Sequence, residues 1–140
     1  MAQTDKIHSA YPIISRDDKT TASKYTVSYE KQQMSLTLLL FFFKVQTDVR
    51  YVMTFEYFID ETKIHKERSS FNLDSSEDPW NDPTLKMPDN LVNVSITHKS
   101  KDFNLLPLDD YDLKIKITLS KNDEDLDTVN TYMAIHRVKE

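Results

Sequence analysis

Residues 49–59 read Val-Arg-Tyr-Val-Met-Thr-Phe-Glu-Tyr-Phe-Ile. Every second position is apolar, and that spacing decides the fold. A strand points successive side chains to opposite faces, so a period of two buries one face and wets the other. Val49, Tyr51, Met53, Phe55, Tyr57 and Ile59 share the expected inner face. The same period returns in 111–120, where Tyr111, Leu113, Ile115, Ile117 and Leu119 oppose Lys114, Lys116 and Thr118. In 91–98, Val92, Val94 and Ile96 oppose Asn93, Ser95 and Thr97. Half-buried antiparallel strands carry this signature.

Composition agrees with the spacing. Val, Ile, Thr and the aromatics supply 45 of 140 residues and Ala only 4, a balance that suits pleated structure. Further strands are expected over 7–14, 25–31, 34–45, 63–73 and 128–138. The expectation is an all-β, antiparallel sandwich of about seven to nine strands. A chain of 140 residues fits one domain, 1–140, with 1–24 partly irregular. One long loop, 72–90, holds Pro79, Pro83, Pro88 and the single Trp. Within it, Asp82-Pro83 reads as an N-cap followed by Pro at the first helical position, predicting a helical turn at 83–87. With no Gly in the chain, Asn and Asp must supply the left-handed turn positions, as at Asp89-Asn90 and Asn122-Asp123. Gln46-Thr47-Asp48 is expected to close a hairpin between 34–45 and 49–59.

The same composition excludes several chemistries. Phosphate-cradling loops and the nucleophile elbow need Gly, and there is none. No Cys means no thiol nucleophile, disulfide or thiolate metal site. A net charge of −5 with no local Lys/Arg cluster disfavours nucleic acid as a partner. Residues 1–24 lack the apolar core of a signal peptide. The longest apolar stretch, 34–45, is interrupted by Ser35, Thr37 and Lys44 and is too short to span a bilayer. These features predict a soluble, cytoplasmic, non-catalytic protein without cofactor or membrane insertion.

Residues 105–115 read Leu-Leu-Pro-Leu-Asp-Asp-Tyr-Asp-Leu-Lys-Ile. This resembles the L-x-P-x-x-x-Y-x-Φ-x-Φ pattern of fibronectin type III and related immunoglobulin-like sandwiches, over about the last 35 residues. The resemblance implies an immunoglobulin-like sandwich. It also implies that Tyr111 opens a strand and bonds back to the corner that Leu105 and Pro107 shape. The sequence departs from the pattern at Leu108, where Gly is common. The fold implies no reaction.

Three places invite a functional reading. Asp123, Asp125 and Asp127 have the D-x-D-x-D start of a calcium loop. However, Thr128 stands at the Gly position and Ala134 at the bidentate Glu position, so a solvated hairpin tip is the plainer reading. Asp78, Trp80 and Asp82 in the long loop form the second candidate, a binding loop for a sugar or cation-dependent ligand, set against an exposed loop with no role. The four histidines lack metal-ligand spacing. The third place is residues 38–43, Leu-Leu-Leu-Phe-Phe-Phe, apolar on both faces. Whichever face meets the core, three large side chains are left over. With the even positions inward, Leu39, Phe41 and Phe43 remain, and Val52 and Phe58 on the next strand add to the excess. Two covers are expected: the chain itself, through the N-terminal segment (Tyr11, Ile13, Ile14) or the Trp80 loop, or a protein partner such as a second copy.

Overall fold

The computed structural model describes residues 4–82, 84 and 90–139. The strands among them are β1 (Lys6–Ile13), β2 (Lys24–Ser28), β3 (Gln33–Met34), β4 (Thr37–Gln46) and β5 (Tyr51–Ile59), then β6 (Thr62–Phe71), β7 (Leu91–Lys99), β8 (Phe103–Asn104), β9 (Asp110–Lys121) and β10 (Glu124–Val138). They form a three-stranded sheet, β1-β4-β7, a five-stranded sheet, β2-β10-β9-β5-β6, and the small pair β3-β8. All ladders are antiparallel except β2 on β10, which is parallel.

The period-two pattern survives in the burial. Tyr51, Met53, Phe55, Tyr57 and Ile59 of β5 and Leu113, Ile115, Ile117 and Leu119 of β9 face inward and are buried. From the other sheet Leu38, Leu40 and Phe42 of β4 meet them, with Val92 of β7 and Ile7 of β1. These interdigitating inner faces are the core, and each large side chain buried there contributes roughly 1.5–3 kcal/mol.

The chain turns without Gly as expected. Asp48, Asp60, Asn90, Asn122 and Asp123 all have positive φ, and their short polar side chains tolerate it. Lys44 also has positive φ, at 53°, where β4 slips register against β7 between Phe42 and Val45. Apart from Thr84, the expected helical turn at 83–87 lies outside the described residues, as does Asp89.

Two expectations are corrected. Residues 34–45 are not one strand: β3 and β4 are separated at Leu36, whose N–H donates to Ser100 Oγ at 2.8 Å instead of joining a ladder. Nor do β4 and β5 form a hairpin, since they lie in different sheets. The connection crosses between layers because its backbone bonds elsewhere. Thr47 N–H donates to the Asn90 carbonyl at 3.1 Å and Asp48 N–H to the Leu73 carbonyl at 2.8 Å. No pairing register between 34–45 and 49–59 therefore exists.

Candidate functional site

β4 presents Leu39, Phe41 and Phe43 on the outer face of the three-stranded sheet. Their ladder partners are Tyr11, Ser9 and Lys6 on β1, and Thr97 and Ser95 on β7 for the first two. The face grades along the strand. Ile13 has no exposed surface and Leu39 is 4% exposed, yet neither belongs to the sandwich core. Phe41 and Phe43 are half-buried. The Tyr11 ring lies 6.2 Å from that of Phe41, and Lys44 Nζ lies 5.2 Å from the Phe43 ring. The N-terminal segment pairs beside β4 as β1, and residues 14–17 then gather with Tyr25 around Thr37 and Lys99, at the end of the face where Ile13 and Leu39 are buried. Trp80 packs on the core instead.

Val52 and Phe58 are separated from this patch. They lie on β5, on the outer face of the five-stranded sheet, so the sandwich stands between the two sets. The sequence grouped them only because a β4–β5 hairpin was expected.

The acidic hairpin tip does not converge on a point. Asp127 Oδ2 accepts Ile7 N–H at 2.8 Å, and Asp125 Oδ1 accepts the Ser120 hydroxyl at 2.8 Å. A bulge between Asp125 and Asp127 breaks the alternation that would bring the carboxylates together. In the long loop, Asp74 and Asp82 fold the chain locally by accepting Ser76 and Thr84 N–H groups at 2.8 and 2.9 Å. Bonds with those neighbours hold both carboxyls below the ordinary carboxylate range. Asp78 is exposed, while Trp80 is half-buried with its ring spent on the core.

The expected corner is present. Tyr111 is half-buried, and its hydroxyl accepts Leu106 N–H at 3.2 Å, five residues upstream. Sequence reasoning missed the group beside it. Arg137, 5% exposed, lies among carbonyls. Its Nη1 donates to Leu106 at 2.6 Å, and Nη2 reaches Ser28, Tyr29 and Lys31 at 3.3, 3.2 and 2.8 Å. The guanidinium also covers the Tyr29 ring at 5.0 Å.

A second buried charge escaped the sequence. Glu67 of β6 is 8% exposed. Its Oε1 bonds His65 Nε2 at 3.1 Å, and both oxygens accept Lys101 N–H, at 3.2 and 3.3 Å. His98 Nε2 on β7 lies 3.3 Å from Oε2, without hydrogen-bond alignment, a contact that is ionic when the imidazole is protonated. The His98 ring stacks on Phe55 at 4.1 Å between centroids. Burial pushes the His98 imidazole below its ordinary pKa against the pull of Glu67. Among the described residues, no three His, Asp or Glu side chains are arranged to hold a metal ion. No helix among them is long and apolar enough to cross a membrane.

The class of fold is thus an all-β sandwich. No family model matches the chain, and no curated protein is similar to it in sequence. Among solved structures it is similar to a bacterial adhesin from Mobiluncus mulieris containing intramolecular disulfide, isopeptide and ester bond cross-links. The TM-score is 0.66 at 7% identity, over 97% of this chain and 58% of that one. At that identity the likeness is one of fold, and this chain has no Cys with which to form a disulfide.

Proposed function

We propose that this chain is a non-catalytic interaction domain of immunoglobulin-like type. Its contact surface is the outer face of β4, and its first partner is a second copy of itself. The type is supported by Tyr111 at its corner and by the parallel β2 edge on a Greek-key-compatible pair of sheets. One observation carries the function. Phe41 and Phe43, two of three consecutive phenylalanines, sit half-buried on the outer sheet face beyond the buried Leu39, beside the Tyr11 ring and Lys44. Apolar surface of this kind gains from a partner. The Trp80 loop is the weaker binding reading, because its ring already packs on the core.

Sedimentation and thermal melting of the wild type and Phe41→Asp test the proposal. A wild-type dimer, with a Phe41→Asp monomer of nearly unchanged melting temperature, is the expected result. A wild-type monomer that Phe41→Asp unfolds would show that the face serves the fold, because a charge was then placed in a covered site.

A further inference from the structure

The five-stranded sheet has an outer face of different chemistry, on the far side of the sandwich from Phe41. Strand register builds it row by row. Tyr132, Lys114, Phe58 and Lys63 form one row across β10, β9, β5 and β6. Asn130, Lys116, Glu56 and Lys66 form the next, and Thr128, Thr118, Thr54 and Arg68 the third. Within these three rows five cations therefore meet one carboxylate, with Asp112 and Asp125 flanking the rows at either end, on a chain whose net charge is −5. Lys63, Lys66 and Arg68 are exposed, Lys114 and Lys116 half-buried. Glu56 is already engaged by Lys63 at 2.6 Å. That bond, and after it the charges of Lys116 and Lys66, hold its carboxyl below the ordinary range against the opposing effect of burial.

The geometry points to this face as a docking surface for an anionic polysaccharide, a sugar polymer bearing carboxylate or sulfate groups. Charge complementarity gives the sign. Strand spacing sets Lys66 and Lys116 roughly 10 Å apart with rows roughly 7 Å apart, a grid that a flexible polymer with repeated acid groups can follow. The rest of the face fits a sugar. Tyr132 is 62% exposed, and it walls a shallow depression of about 340 Å³ with Ser23, Asp112, Met133 and Ala134. An aromatic ring beside a hydroxyl and a carboxylate suits the apolar face and the hydroxyls of a sugar ring. Thr54, Thr128 and Asn130 extend the polar lining. An acidic peptide fits less well, since extended peptides gain affinity along a sheet edge, here the outer side of β6, whereas the cations are spread across the face of β9 and β6, where the inner strands' backbone groups are in ladders. Duplex nucleic acid carries one charge per roughly 1.7 Å, a density that the chain's overall negative charge opposes.

Calorimetry with polygalacturonate, dextran sulfate, neutral dextran, polyglutamate and duplex DNA tests this. Binding is expected to one or both acidic polysaccharides and not to neutral dextran. It should weaken steeply between about 0.05 and about 0.5 M salt. Lys66→Gln/Lys116→Gln should weaken it by about tenfold or more, the loss of charge-assisted contacts. That pair leaves the Lys63–Glu56 bond intact, so the fold is retained. Tyr132→Ser should weaken binding as well, while the exposed off-face pair Lys19→Gln/Lys31→Gln should not. No binding to either acidic polysaccharide, equal loss in the off-face pair, or polyglutamate or DNA bound as tightly would overturn the assignment.

Discussion

Arg137 shows how one side chain can hold a corner together. A buried cation usually answers a carboxylate, but this one answers four carbonyls from the 28–31 turn and the 106 corner. Those carbonyls belong to chain leaving strands, where ladder partners run out. Removing the guanidinium strands the Leu106, Tyr29 and Lys31 carbonyls, at about 1–3 kcal/mol for each that water does not reach, while the Ser28 carbonyl keeps Lys31 N–H at 3.1 Å. Arg137→Met should thus cost about 2–4 kcal/mol, read from denaturant midpoints, and Arg137→Lys should recover only part, having fewer donors in a less suitable geometry. A neutral Arg137→Met would mean that water reaches the carbonyls. Tyr111 acts on the same corner more gently. Tyr111→Phe removes the acceptor for Leu106 N–H at the cost of about 1 kcal/mol, measured in the same way. An unchanged midpoint would show that this bond is solvent-exchanged.

At the scale of elements, the strands were legible and their connections were not. Alternation in 49–59, 91–98 and 111–120 marked β5, β7 and β9 to within a few residues, because the period of two is a property of each strand alone. The crossing from β4 to β5 was hidden because Thr47 and Asp48 find their partners in residues 90 and 73, far along the chain. For the same reason the doubly apolar strand could be read from 38–43, while Val52 and Phe58 were placed with it wrongly. The cationic face was invisible, since its lysines and arginine stand at alternate positions of separate strands and cluster only through register. Glu67 looked like an ordinary surface charge, whereas Arg137 continues the inward alternation of Met133 and Ile135, a signal that a charged residue type masked. The left-handed turn residues of the β9–β10 hairpin were legible, although β10 starts at Glu124 and not at the expected 128, which puts Asp125 and Asp127 in the ladder. Asn122 and Asp123 both have positive φ, at 53° and 63°, joining Lys121 to Glu124 in the two-residue loop that favours Asn-Gly. Asp123→Gly should therefore stabilise the protein, by on the order of 0.5 kcal/mol after the greater freedom of Gly in the unfolded chain is counted. A lower melting temperature would mean that the exposed Asp123 carboxylate contributes more than its backbone costs.

The whole molecule is two sheets closed along two seams, and the seams differ in chemistry. Along one, Asp127 of β10 accepts Ile7 N–H of β1 at 2.8 Å, with Lys6 alongside at 3.8 Å. Along the other, the Glu67 carboxylate on β6 faces His98 on β7 and accepts Lys101 N–H beyond it. The second seam contains an imidazole whose pKa burial lowers. His98 is buried against Phe55, faces Glu67, and feels the charge of Arg16. Burial lowers its pKa in the fold, so the unfolded chain takes up the proton first. Where the unfolded state binds more protons, stability rises with pH. The contribution is whole above the unfolded imidazole pKa of about 6.5 and is lost as pH falls through the depressed folded value. The melting temperature should accordingly fall between about pH 7 and pH 5, above the range in which unperturbed carboxylates titrate. His98→Gln, which keeps a polar group toward Glu67 without a titrating ring, should flatten that slope while lowering stability at pH 7. A wild-type melting temperature that holds or rises on acidification, or a slope that persists in His98→Gln, would remove the β6–β7 seam as its source.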